Sequence, residues 1–395
     1  MRIALIRRRY TPFGGAERYT AAVAEGLARR GHEVHLFAER WSGEGHGAAG
    51  PTLHRVPVPP GPSFARVLAF AAGAARAVSR ERYDVVVSFE RTLRQDVYRA
   101  GDGCHREWLL RRGAALAPAR RALVRANPLH ATYLWLERRI FRDPRCRLII
   151  ANSQRGRDEI VRHYGTDPGR IAVLYTGVDL EAYHPRNRAG RRGAVRRDLG
   201  LGEGELALLF VGSGFERKGL GPLLRGLDLL RRDAGNLAIR LLVAGRREVR
   251  YERMARRLGL QERVRFLGGA GNGADLCAGA DAFILPSFYD PFSNACLEAM
   301  AAGLPPITSR ANGTSELIED GVEGFVLDDP TDPRAIAKAI QAAGDPAARQ
   351  AMGAAARRRA EAHPFDAHGD RLLALIEGVA KSVETASPSS RERAG

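Results

Sequence analysis

"LALLFVGSGFERKGL", residues Leu206–Leu220, decides the fold. Its unbroken aliphatic start, Leu206 to Val211, reads as a strand buried on both faces, as in a parallel sheet. Gly212 and Gly214 then turn the chain, the cations Arg217 and Lys218 follow, and Gly219 precedes a helical pattern. A strand end, a flexible loop, two cations and a helix N-terminus together offer a diphosphate backbone donors and a charged clamp. The same cations also fit a solvated surface pair. Lysine is rare in this chain, however: of 62 basic residues only Lys218, Lys338 and Lys381 are lysines. A lysine kept in this loop therefore carries more information than any single arginine.

Working outward, strands are expected at Ala238–Gly245, Val264–Gly268, Ala282–Pro286 and Pro306–Ser309 in the second half. The first half repeats the pattern at Ile3–Ile6, Glu33–Ala38, Val85–Phe89, Leu148–Ala151 and Ile171–Leu174, with a helix from Gly15 to Arg30 between the first two. Strands alternating with helices predict parallel sheets, and 395 residues exceed the ~250 at which single cores stop growing. The expected fold class is α/β, with two Rossmann-like domains facing across a cleft. The first spans 1–173, a Gly-, Pro- and Arg-rich linker spans 174–200, and the second domain spans 201–365. Residues 366–395 form a terminal amphipathic helix, expected to cross back to the first domain, and a disordered tail.

Ligands of such sheets bind at the carboxyl ends of the strands. A nicotinamide cofactor is disfavoured, because no GxGxxG follows the first strand. The loop there, "RRRYTPFGGAERYT", ends in Gly14 and Gly15 before a helix with Glu17 and Arg18 in its first turn. That pattern suits an anion or an ordinary turn and cap. A third stretch, "SFYDPFSNACLEAMAAGLP", Ser287–Pro305, follows another strand. Phe292, Ser293 and Asn294 lie where its helix should open, Asp290 just before them and Glu298 about one turn inside. The two carboxylates can accept hydrogen bonds from sugar hydroxyls; alternatively Asp290 caps the helix and Glu298 faces solvent.

Taken together, "FERKGL", "YDPFSNACLEAMAAGLP" and "FGGAERY" resemble the retaining nucleotide-sugar glycosyltransferases of family 4, which have the GT-B fold. The resemblance implies that Arg217 and Lys218 grip the donor diphosphate and that Gly14, Gly15 and Gly212 approach it. Phe292, Ser293 and Asn294 then line the donor site, Glu298 binds the ribose and Asp290 faces the donor sugar. The family's first acid is usually Glu, so the shorter Asp290 leaves the sugar open. "RTLRQDVYRAGDGCHREWL" and "HLFAERWSG" are similar to the lipopolysaccharide core glucosyltransferases that add glucose to inner-core heptose. On that likeness Asp102 is the acceptor-side polar residue, with His105 its alternative in that role and Arg18 also on the acceptor side. A metal-independent, cofactor-free transfer with retention is implied, with catalytic roles for Asp102, Arg217, Lys218 and Asp290 and UDP-glucose as donor.

The formal charge is +17. Between Cys104 and Arg147 eleven arginines face Glu107, Glu137 and Asp143, a net of +8, interleaved with Leu116, Leu123, Val124, Leu129, Tyr133, Leu134, Trp135 and Leu136. This is the composition of an interfacial segment for an anionic membrane surface, and also that of a solvated helix with one face on the core. Nucleic acid is disfavoured, since no binding signature accompanies the charge. Cys104, Cys146, Cys277 and Cys296 form neither a CxxC nor a zinc pattern, so no metal is expected. No apolar run reaches the ~18 residues of a spanning helix, and "RIALI" directly after Met1 leaves no signal peptide. The expectation is a monomer, cytoplasmic and peripheral at the inner membrane, acting on a lipid-linked oligosaccharide. Rivals are another donor, such as a different UDP-hexose, UDP-N-acetylhexosamine or ADP-heptose, and a catalytically silent GT-B binding protein.

Overall fold

The computed structural model describes residues 1–10, 15–41, 50–114, 116–233, 238–269 and 272–385. Gly14, the end of "HLFAERWSG" and the expected disordered tail lie outside them. The chain divides into two compact units, Met1–Tyr175 with Asp366–Gly395, and Thr176–Phe365.

In chain order the first unit holds β1 (Arg2–Ile6), β2 (Arg9–Tyr10), α1 (Gly15–Arg29), β3 (Glu33–Ala38), β4 (Arg40–Trp41), β5 (Thr52–Arg55) and α2 (Ser63–Val78). It continues with β6 (Val85–Ser88), β7 (Val97–Arg99), α3 (His105–Ala114), α4 (Pro118–Arg125), α5 (Pro128–Arg142), β8 (Leu148–Ala151), α6 (Gln154–Tyr164) and β9 (Ile171–Val173). Seven of these strands form one parallel sheet, ordered β5-β3-β1-β6-β7-β8-β9, and β2 pairs separately with β4. The strand centres carry Ile3, Leu5, Leu36, Val85, Val87 and Ile149 with almost no exposure, as a sheet covered on both faces requires.

The second unit holds α7 (Pro185–Asp198), β10 (Leu206–Val211), α8 (Leu220–Arg232), β11 (Ile239–Ala244), α9 (Val249–Arg257), β12 (Val264–Gly268) and α10 (Gly273–Gly279). After them come β13 (Ala282–Leu285), α11 (Asn294–Ala301), β14 (Pro306–Ser309), β15 (Phe325–Leu327), α12 (Pro333–Ala342) and α13 (Pro346–Glu361). Its parallel sheet runs β12-β11-β10-β13-β14-β15, so the strand order reverses between β10 and β13. The last helix, α14 (Phe365–Thr385), belongs to the first unit: Arg30 pairs with Asp370, and Tyr19 meets His368 Nε2 at 2.7 Å. Both units are Rossmann-like α/β sheets, as expected.

The expected linker, 174–200, needs correcting: it is largely folded into the second unit, with α7 inside it. Its arginines do the work that an apolar face does elsewhere. Arg188 Nη2 and Arg192 Nη1 donate to the Ala280 carbonyl at 2.7 and 3.0 Å, Arg196 Nη1 reaches the Gly279 carbonyl at 3.2 Å, and Arg192 Nη2 meets Asp281 at 2.6 Å. They satisfy carbonyls at the C-terminal end of α10 and complement its dipole.

Candidate functional site

In doubly wound sheets ligands sit where the strand order reverses. In the second unit that point lies between β10 and β13, which places the Gly212–Gly219 loop beside the Ser287–Ser293 loop. One backbone and one side-chain hydrogen bond join them: Phe288 N–H donates to the Arg217 carbonyl at 2.9 Å, and Arg217 Nη1 to the Tyr289 carbonyl at 2.9 Å. Gly219, at φ +80°, caps α8 with a left-handed backbone, and a Cβ there would lie 1.9 Å from the Pro286 carbonyl oxygen. Only glycine lets the two loops approach so closely. Gly212 packs against the Lys218 side chain, whose Cε would lie 2.9 Å from an added Cβ.

The structure thus brings Arg217, Lys218 and Asp290 together. Lys218 Nζ donates to Asp290 Oδ2 at 2.5 Å, and Arg217 Nη1 lies 3.5 Å from Asp290 Oδ1. Lys218 is 8% exposed and Asp290 4%. Burial draws the Lys218 ammonium below its ordinary pKa, opposed by the attraction of Asp290 and reinforced by Arg217. Asp290, expected to face the donor sugar, has its carboxylate buried against these cations. Nor does it cap α11: Ser293 does, accepting from Cys296 N–H at 3.3 Å, while Ser293 N–H donates to Thr314 Oγ1 at 2.8 Å. Phe292 is buried, and Asn294 and Glu298 are half-buried on α11. Beside the loop, at the ends of β11 and β12, lies a cavity of about 450 Å³ lined by Phe215, Val243, Phe266, Arg247 and Gln261, among others.

In the first unit the order reverses between β1 and β6. Arg7 follows β1, Glu90 and Arg91 follow β6, and Asp102 follows β7. Arg7 Nη1 lies 3.5 Å from Glu90 Oε1 and donates to the Phe89 carbonyl at 3.0 Å; its Nη2 lies 3.8 Å from Glu17. Arg91 Nη1 lies 3.6 Å from Asp102 Oδ2, and Asp102 is half exposed. Burial lifts the Glu90 carboxyl, against Arg7 and with the repulsion of Asp102. His105 opens α3 and meets His130 Nδ1 at 3.1 Å through Nε2. Burial, with Arg91 and His130, pushes its pKa down to about 3, so it is a neutral imidazole at physiological pH. Gly15 and Arg18 lie exposed at the start of α1. Glu90 and Arg91 join the expected Asp102 here, and so, through Arg91, does Glu137, which in the sequence is only one acid among arginines.

Of the basic segment, α5 lays Leu136, Ile140 and Phe141 on the core, whereas α4 has no buried residue. Leu110, Leu123 and Trp135 are 51, 72 and 48% exposed among its arginines. Among the described residues no helix is long and apolar enough to cross a membrane, and no group of His, Cys, Asp and Glu is placed to hold a metal.

Two sheets of this topology, the second carrying a glycine loop and paired cations at its switch point, are similar to those of the GT-B glycosyltransferases. The chain belongs to this class: it matches the family described as Glycosyltransferase Family 4 over residues 13–182 and Glycosyl transferases group 1 over residues 192–359. It is 27% identical over 330 residues to lipopolysaccharide glucosyltransferase WaaG of Escherichia coli K12, covering 84% of this chain and 86% of that protein. It is 31% identical over 355 residues to a D-inositol 3-phosphate glycosyltransferase of Actinosynnema mirum, covering 80% of each. The crystal structure of WaaG, a glycosyltransferase involved in lipopolysaccharide biosynthesis, superposes with a TM-score of 0.84 at 26% identity, over 95% of this chain and all of that one.

Proposed function

We propose that this glycosyltransferase moves glucose from UDP-glucose onto a heptose, or another sugar, of a lipid-linked lipopolysaccharide core. The observation that carries the donor half is the cluster of Arg217 and Lys218 over Asp290 at the switch point of the second sheet. A diphosphate placed there meets two cations and the N-terminus of α8, which stabilise the charge that develops as it leaves. The cavity lined by Phe215, Val243 and Phe266 together with Arg247, Glu252 and Gln261 offers a nucleobase both apolar contact and polar partners. Glu298, half-buried on α11, is the ribose anchor.

In the transfer, the acceptor hydroxyl oxygen bonds to the anomeric carbon as the bond from that carbon to the diphosphate oxygen breaks. The departing diphosphate takes the hydroxyl proton on the same face, so configuration is retained. Arg217 and Lys218 carry the charge role for which other enzymes recruit a metal, and the reaction requires neither metal nor cofactor. Asp290 keeps the two cations in place, and Asp102 orients the acceptor hydroxyl. The likeness to WaaG supports the lipopolysaccharide acceptor. Exposed Leu110, Leu123 and Trp135 among arginines support a lipid-linked one, reached from an anionic membrane surface on the cytoplasmic side by a monomer.

A second reading rests on the Actinosynnema mirum relative: transfer to a soluble phosphorylated polyol such as D-inositol 3-phosphate. Thermal denaturation with a panel of nucleotide sugars, followed by transfer assays on heptose-terminated lipopolysaccharide and on D-inositol 3-phosphate, tests both. UDP-glucose should raise the melting temperature most, and the lipopolysaccharide should accept. Stabilisation by another donor alone, or transfer only to the inositol phosphate, overturns the first reading.

A further inference from the structure

Glu137, on α5, has no solvent exposure, and both its oxygens are engaged. Oε1 accepts from Arg91 Nε at 3.1 Å, from Arg91 Nη2 at 2.8 Å and from the backbone N–H of His105 at 2.7 Å. Oε2 accepts from the Tyr164 hydroxyl at 2.6 Å. Arg91 is likewise buried. It donates Nη2 to the Gly103 carbonyl at 3.2 Å, lays its guanidinium 5.2 Å from the Tyr133 ring centre and holds Nη1 3.6 Å from Asp102 Oδ2. The turn after β7 is thereby fastened just past Asp102, at the Gly103 carbonyl and the His105 amide, to one buried ion pair, while the Asp102 carboxylate stays half exposed.

A buried Arg–Glu pair is a poor device for stability alone, because apolar residues of similar volume usually serve as well. What it supplies is direction. The guanidinium has a rigid planar fork that engages Glu137, Gly103 and Asp102 at once, which an ammonium cannot do. Gly103 itself sits at φ +68°, a left-handed turn in which few other residues would leave the backbone undisturbed. The turn is therefore specified by its own backbone and by the pair beneath it.

We infer that Arg91 and Glu137 are positioning residues for the transfer step, setting where Asp102 stands against the acceptor hydroxyl. This rests on the assignment of Asp102 to the acceptor, and the experiment separates the two. The purified full chain and its R91K, D102N and R91K/D102N variants are assayed with UDP-glucose and heptose-terminated lipopolysaccharide, and UDP-glucose affinity is measured by calorimetry. R91K is expected to lower kcat about tenfold and raise the acceptor KM severalfold, with UDP-glucose affinity within about twofold of the parent. The double variant should be no more than about twofold slower than D102N, since both changes act through one group.

Wild-type transfer by R91K, losses that multiply in the double variant, or a fall in donor affinity matching the fall in kcat would overturn the inference while leaving Asp102 assigned. Wild-type transfer by D102N would remove Asp102 from the site, and the inference with it. Should R91K fail to fold, the isosteric E137Q carries the same expectations.

Discussion

Replacing Asp290 by asparagine strands a buried cation. Lys218 Nζ lies 2.5 Å from Asp290 Oδ2, the two residues are 8 and 4% exposed, and Arg217 Nη1 is 3.5 Å away on the other oxygen. Breaking a buried pair by removing one partner costs about 3–5 kcal/mol. In a domain of ~150–250 residues each kcal/mol moves the melting temperature by ~2–4 °C. D290N should therefore lower the transition of the second unit by about 6–20 °C in scanning calorimetry. Adding K218M removes the stranded ammonium and should recover most of that loss. Turnover should not recover with it. Without the cation at the leaving diphosphate, kcat should stay about 10²–10³-fold below wild type, the usual cost of one such group. Stability and catalysis thus part company in the double variant. A D290N transition within about 2 °C of wild type, or kcat restored by K218M, would refute the reasoning.

Three further outcomes are expected. Transfer should persist in excess chelator, and complete loss restored by magnesium would assign the charge role to a metal instead. The full chain should sediment with anionic but not neutral vesicles; replacing Leu123 and Trp135 by serine should weaken that binding at least about tenfold, as about 1.5–3 kcal/mol accompanies burial of even one large apolar side chain. Equal binding to both vesicle types, or to neither, counts against the membrane surface. Burial holds His105 and His130 below the ordinary histidine value of 6.5, so they stay neutral in the folded chain while the unfolded chain takes up protons. Stability should accordingly fall as pH drops from about 7 toward 5, and less steeply in H105F; parallel profiles for the two proteins would exclude His105 as a source of that slope.

What the sequence revealed follows the physics of each segment. Strand β10 is legible because an all-apolar run in a chain this charged has few places to go, and the glycine loop after it because no other residue tolerates the approach to Pro286. β7 was not: it has three residues and ends in a charge, yet Arg99 is buried with its guanidinium 3.9 Å from the Tyr19 ring centre. β5 alternates without an apolar face, as an edge strand can. Glu137 was counted merely as one acid among arginines. A signal was available, because it lies four residues after Tyr133 and three before Ile140, on the same stripe of α5 that carries Leu136 and Phe141. A charge on an apolar stripe announces a buried partner, though nothing local names Arg91. The pairing of Asp290 with Lys218 was hidden for the same reason: 72 residues separate them, and only the sheet order brings their loops together.

The placement of α14 bears on how the chain is made. Leu372, Ile376, Val379 and Ala380 are buried, and His368 is hydrogen-bonded to Tyr19 and to the Tyr175 carbonyl, all within the first unit. The second unit is thus an insertion in the first, uninterrupted along the chain and closed by residue 365. Emerging from the ribosome, Thr176–Phe365 has all its own residues available while the domain begun before it still waits for its last helix. The half that starts first finishes last, and a chain cut short near its end loses part of the N-terminal domain, not of the C-terminal one.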